Sequence, residues 1–148
     1  MQVKEIMSIQ PSHCTPESTI QEAAQMMVEA DCGAIPVVRA HDHLHPVGII
    51  TDRDITCRAA AKGMDPRRTQ VRECMSTALA VISADTPIHE CCQIMEKTRV
   101  RRLMVVDDEG RLCGIVSQAD IALHLPEHDT AEVVREISEP TEEPSLVG

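Results

Sequence analysis

The chain has 148 residues with no Phe, Tyr or Trp, and 14 Lys and Arg against 24 Asp and Glu give it a net charge of −10. That balance repels a phosphate backbone, and the missing aromatic rings remove the platforms on which single-stranded bases stack, so nucleic acid is not an expected partner. No apolar run approaches the roughly 18 residues that span a bilayer, and Met1 to Ser8 lacks a basic-then-apolar leader, so no membrane partner and a cytoplasmic location are expected.

In chain order, Val3-Lys4-Glu5-Ile6-Met7-Ser8 comes first, followed by a weak β-rich stretch at His13-Cys14. A helix is predicted from near Ser18, with apolar residues at Ile20, Ala23, Ala24 and Met27 spaced i, i+3, i+4, i+7. Strands come next at Ile35 to Val38 and Val47 to Ile50, with His41-Asp42-His43 in the turn between them. A second helix opens at Thr51, and Lys62 to Gln70, broken by Gly63 and Pro66, links to the second half of the chain. The same order then returns. Val71-Arg72-Glu73-Cys74-Met75-Ser76 leads into a strand at Leu79 to Ile82. A helix from near Thr86, with Pro87 at its first position, places Ile88, Cys91, Cys92 and Met95 on one face. Strands at Leu103 to Val106 and Cys113 to Val116 flank the turn Asp107 to Gly110, and the last helix opens at Ser117.

Matching positions differ by 68, falling to 66 after the longer loop of the first copy. The expected fold class is therefore α/β, two βαββα repeats packed with pseudo-twofold symmetry: 1–66 with its leading segment, 67–125, and an acidic tail 126–148. In the tail a short helix over Thr130 to Ile137 is expected, then disorder. One unit of about 60 residues is marginal alone, and two share a buried face.

Thr51-x-x-Asp54 and Ser117-x-x-Asp120 each open a helix directly after a strand. The plain explanation is an N-cap, with Thr or Ser satisfying free backbone N–H groups, a contribution of about 1 kcal/mol. The same arrangement suits a ligand, because a carboxylate there can accept two hydrogen bonds from a ribose diol. Arg53 and Arg58 in the first copy and Arg101-Arg102 in the second supply guanidinium groups for a phosphate.

These pieces resemble a tandem pair of CBS domains, a Bateman module, and in particular the small stand-alone bacterial CBS-pair proteins. The resemblance covers roughly residues 1 to 125. It is carried by the two Val-x-x-x-Met-Ser segments, the helix leading into Pro36-Val37-Val38, and Gly-φ-φ-Thr/Ser-x-x-Asp at Gly48 and Gly114 (φ, an apolar residue). It implies that Asp54 and Asp120 hold ribose hydroxyls, with Thr51 and Ser117 near the ribose or α-phosphate. It implies adenine walls from Ala34-Ile35-Pro36 and Met75-Ser76 in one cleft, and from Leu103-Met104 and Met7 to Gln10, including Ile9 and Gln10, in the other. Met104 stands where the family usually has Pro. The implied function is a regulatory module, not an enzyme, that needs no cofactor. It would bind an adenosine-containing nucleotide, AMP first and then ATP or S-adenosylmethionine, in clefts between the two repeats. A homodimer and an unidentified regulated protein are the implied partners. The first cleft, with Asp54, is expected to be the stronger.

Two other readings are an interaction module with vestigial clefts and a cysteine-based redox sensor at Cys91-Cys92. The odd count of seven cysteines, without a Cys-x-x-Cys pair, favours reduced core thiols. His41-x-His43-x-His45 would suit a metal if it lay along a strand, but its expected place is a loop, so no metal site is assigned.

Overall fold

The computed structural model describes residues 1–139, so the acidic stretch from Pro140 to Gly148, where disorder is expected, lies outside the described residues. The elements are β1 (Ser8–Ile9), α1 (Ile20–Ala30), β2 (Ala34–Ala40), β3 (His43–Thr51), α2 (Asp52–Asp54), β4 (Val81–Ser83), α3 (Ile88–Thr98), β5 (Arg102–Val106), β6 (Leu112–Ser117), α4 (Gln118–His124) and α5 (Glu127–Ser138). The helix begun by α2 continues as a π turn, Ile55–Ala59, and a 3-10 turn, Ala60–Lys62. Single 3-10 turns stand at Val3–Glu5 and Val71–Glu73.

The chain forms two compact units that cut across the sequence copies. Among the described residues, one unites Met1–Gln10 with the chain from Ala80 to Glu139, and the other is Pro11–Leu79. The sequence division at 66/67 is therefore not the packing division. Each Val-x-x-x-Met-Ser segment packs with the copy that does not follow it. Val3 and Ile6 are buried with Ile82, Met95, Leu103 and Val116, whereas Val71 and Cys74 are buried with Ile20, Ile35, Val37 and Ile50. Val3 and Val71 are both fully buried, which stabilises each unit by about 1.5–3 kcal/mol per side chain.

In the unit from Ala80, the sheet order is β1-β6-β5-β4. β4 and β5 are parallel, joined through α3, and the other pairs are antiparallel. The Pro11–Leu79 unit repeats this order in reduced form. β2 and β3 form a hairpin, Cys14 bridges Val37 in parallel, and Ser76 bridges Ile49 antiparallel. The weak strand at His13-Cys14 is thus a single bridge. Pro11 and Pro16 flank it and cannot donate to a ladder, which shortens it.

Helix starts differ from expectation by one residue. Thr19, not Ser18, caps α1: its Oγ1 accepts from the Glu22 N–H at 3.1 Å, and the Glu22 carboxylate accepts from the Thr19 N–H at 3.3 Å. The Ser18 hydroxyl instead accepts from the Thr15 N–H. Pro87 is itself the capping residue of α3, with ψ 143°, so the helix begins at Ile88. The β2–β3 turn is also tighter than expected, so His43 and His45 lie within β3 and not in a loop. The tail helix is longer than the sequence suggests: α5 spans Glu127–Ser138 and packs on α3 and α4, burying Val133 and Ile137 in the core of its own unit.

Candidate nucleotide site

The Gly-φ-φ-Thr/Ser motif answers first to packing. A Cβ on Gly48 would fall 2.9 Å from both the Met75 sulfur and the Ser76 carbonyl oxygen, and one on Gly114 would fall 2.5 Å from the Met7 sulfur. Each glycine therefore admits the Met-Ser segment that bridges the next residue of its strand. Ile49 exchanges two backbone hydrogen bonds with Ser76, 3.0 and 2.9 Å, so its polar groups face away from its β2 partner, Pro36. Pro36 can thus sit inside the sheet without leaving an acceptor unmet. Met104 takes the equivalent place opposite Ile115.

At the end of β3, Thr51 and Asp54 form a reciprocal box. Thr51 N–H donates to Asp54 Oδ2 at 3.0 Å, and Asp54 N–H donates to Thr51 Oγ1 at 3.1 Å. Both side chains are buried, Asp54 to 1% exposure. Asp54 Oδ1 receives no hydrogen bond and lies 3.8 Å from the Arg58 Nε. Burial pushes the Asp54 carboxyl above its ordinary value, against the pull of the Thr51 hydrogen bonds and the Arg58 charge. The π turn carries Arg58 on the same helix, and its Nη1 donates to the carbonyls of Cys74 and Met75, both at 3.1 Å. Arg58 therefore ties the helix to the Met75-Ser76 segment across the face of Asp54. Ala34, Ile35 and Pro36 are buried, Met75 half-buried, and Arg53 exposed.

The box at the end of β6 has the same two backbone bonds and one more between its side chains, in a more open setting. Ser117 N–H and Oγ–H donate to Asp120 Oδ2 at 2.7 and 3.0 Å, and Asp120 N–H donates to Ser117 Oγ at 3.2 Å. Asp120 is half-buried. The position of Arg58 is held by His124, whose Nδ1 lies 2.8 Å from the Asp120 carbonyl oxygen on its own helix. Beside this box is a pocket of about 450 Å³ lined by Arg101, Arg102, Ser117, Gln118, Ala119 and Ala122, with Ser138 contributed by α5. The structure thus brings together Arg101, Arg102 and Ser117. Leu103 is a core residue at 1% exposure, while Ile9 lies on the outer strand β1 at 70% exposure and Gln10 follows its end. Gln118 and Ser138 had no signal in the repeat: the first is set by the turn after β6, the second by a helix outside both matching copies.

The remaining candidates resolve plainly. Cys14, Cys74, Cys91 and Cys92 are buried and free. Burial pushes the thiols of Cys14 and Cys91 up to about 12 and that of Cys92 to about 11, so their reactive thiolate forms are scarce at neutral pH. The histidines pair two by two, His13 with His41 and His43 with His45, with ring centroids 5.8 and 4.4 Å apart. Among the described residues, no group of three or more His, Cys, Asp or Glu is placed to hold a metal ion. No helix among them is long and apolar enough to cross a membrane.

Two units, each with a strand-to-helix Thr/Ser-x-x-Asp box and a Met-Ser segment from the other copy, are the signature of one class of protein: the chain belongs to the CBS-domain family, whose model matches residues 3–59 and 71–137. Among its relatives, Hypoxic response protein 1 of Mycobacterium tuberculosis is 42% identical over 122 residues, 82% of this chain and 83% of that one. The crystal structure of Hypoxic Response Protein I with two coordinated zinc ions superposes with a TM-score of 0.74 at 36% identity, covering 85% of this chain and 100% of that chain. The CBS domain pair of protein MJ0100, in complex with 5′-methylthioadenosine and S-adenosyl-L-methionine, gives a TM-score of 0.73 at 30% identity, covering 83% and 98%.

Proposed function

We propose that this chain is a non-catalytic regulatory module that binds an adenosine-containing ligand, with the Arg101/Arg102 pocket beside the Ser117–Asp120 box as its principal site. The observation that carries the reading is that pocket: Arg101, Arg102 and Ser117 line it beside Asp120, a carboxylate suited to a ribose diol, in a chain whose net charge is −10. The 30% identical MJ0100 pair, with its methylthioadenosine and S-adenosylmethionine, supports adenosine as the common part. The arginine pair favours a phosphate-bearing ligand, hence AMP first and then ATP; S-adenosylmethionine, which has no phosphate, would offer the arginines only its carboxylate. The Thr51–Asp54 box is a second site of the same design, entered after Arg58 leaves Asp54. Asp54, Thr51 and Arg53 would meet the ribose and phosphate there, with Ala34, Ile35, Pro36 and Met75 around the base.

Val28 on α1 and Leu123 on α4 are 81% and 79% exposed, and burial of those helix faces in a homodimer would remove that apolar surface from water. The module would act in the cytoplasm on a regulated protein, shifting it by the ligand's differential affinity for two states. Thermal unfolding followed by circular dichroism tests the reading. AMP at a hundredfold excess over Kd is expected to stabilise the fold by about 2.7 kcal/mol. No stabilisation by AMP, ATP, S-adenosylmethionine or methylthioadenosine would favour an interaction module instead.

A further inference from the structure

Helices α3 and α5 enclose a groove of about 260 Å³ between them. Its floor is Ile88, Leu125 and Val133, and its rim is Glu96 on α3 with Asp129 and Glu132 on α5. Glu136 follows Glu132 by one turn and stands on the same side of α5. Two helices thus meet with carboxylates on both sides of their seam. Among the described residues, none of these carboxylates lies within ion-pair distance of a lysine, arginine or histidine. Burial raises the Glu96 carboxyl above its ordinary value, and Glu132 and Glu136 raise it further. The seam holds through apolar burial, with Val133 and Ile137 in the core, and its negative charge is left unmatched. The first copy has no such groove: Val28 stands at the position of Glu96, and turns at residues 63–70 follow its last helix.

We propose that the α3–α5 groove is a docking surface for a basic segment of a partner protein, one that presents arginine or lysine beside an apolar side chain. Charge complementarity and the floor together favour this occupant. Arginine and lysine lay an aliphatic stem on apolar surface and hold the charged head beyond it, which matches a floor of Ile88, Leu125 and Val133 under a carboxylate rim. The groove is smaller than the roughly 300–1,000 Å³ of small-molecule sites, so it suits inserted side chains. A bare metal ion fits poorly, since no three His, Cys, Asp or Glu converge on one point among the described residues. The surface does not rest on the nucleotide reading, and it gives the regulated protein a chemistry.

The test uses the full chain and a helical peptide of alanine, leucine and arginine whose leucines and arginines share one face. A second peptide carries citrulline, which keeps the shape of arginine without its charge. In ¹⁵N-labelled protein the arginine peptide is expected to move the amide signals of Gln93, Glu96, Asp129 and Glu132. In calorimetry Glu96→Gln/Glu132→Gln is expected to bind it about tenfold more weakly than the wild type, and the citrulline peptide should lose as much against the wild type. Asp108→Asn/Glu109→Gln, which removes the same charge from the turn between β5 and β6, should bind like the wild type. Equal losses in the two double variants would reduce the binding to a general attraction of an acidic chain and overturn the proposal. So would groove signals that ignore the peptide, or that shift with protein concentration instead, which would make a second copy the occupant.

Discussion

The two Thr/Ser-x-x-Asp boxes share every backbone bond and differ in what faces the carboxylate. At the first, Arg58 holds a half-satisfied Asp54 at 1% exposure and pins the helix to the carbonyls of Cys74 and Met75. At the second, His124 turns back to its own helix, Asp120 stays half-buried, and a 450 Å³ pocket with two arginines opens alongside. A motif that caps a helix in both places therefore leaves its carboxylate in two different settings, set by its neighbours. One residue four positions on, arginine or histidine, decides whether the carboxylate faces a partner from its own chain. The sequence favours the Thr51–Asp54 cleft as the stronger; the proposed principal site beside Ser117–Asp120 predicts the opposite order of filling.

The sharpest break of that comparison is Arg101→Gln/Arg102→Gln. Two charge-assisted contacts to phosphate are at stake, each about 1.5 kcal/mol or more, so AMP affinity measured by calorimetry should fall about 100-fold while adenosine affinity changes little. Equal losses for both ligands would place the arginines away from the phosphate. Next in size are the close-packed glycines. Gly114→Ala should destabilise the fold in urea by about 2–3 kcal/mol, and Gly48→Ala by somewhat less, because the added carbon meets Met7 at 2.5 Å but Met75 at 2.9 Å. A neutral Gly114→Ala would mean that the Met-Ser segments are not held as described.

A smaller effect tests the Arg58 contact directly. Arg58→His makes the first box resemble the second, and ligand affinity at that site should rise about fivefold, the worth of an ordinary partly buried charge contact. Smallest is the cost of burying Asp54. Its folded-state carboxyl titrates above its unfolded value, so the folded state holds the extra proton and wild-type stability declines as pH rises through that interval. Asp54→Asn should therefore raise Tm by about 2 °C at pH 7, with the gain disappearing toward pH 4. A variant less stable than the wild type at pH 7 would show that the ionised carboxylate is well compensated. A gain would mean that the site retains a carboxylate at the expense of stability, as binding sites do.

Much of the fold can be read from residues alone because the repeat states it twice. The helical faces of Ile20–Met27 and Ile88–Met95, the paired strands and the two boxes follow from periodicity and offset. The exchange of leading segments does not follow, since Val3 and Val71 read as apolar in either partnership and only the sheet shows which glycine each Met-Ser segment meets. The site divides the same way. Thr51, Asp54, Ser117 and Asp120 are legible as a motif, and Arg101 and Arg102 as charge before a strand. The role of Arg58 is hidden because it depends on a π turn with no sequence mark, and Ser138 because it belongs to a helix outside the repeat. Leu103 and Ile9, which the resemblance implies as base walls, occupy different settings: the first is a core residue and the second lies on an outer strand.

The order of filling is the centre of this account, and a calorimetric titration with AMP of Asp54→Ala beside Asp120→Ala tests it most directly. The tighter binding phase is predicted to survive Asp54→Ala and to vanish in Asp120→Ala. Loss of the tighter phase in Asp54→Ala with retention in Asp120→Ala would contradict it.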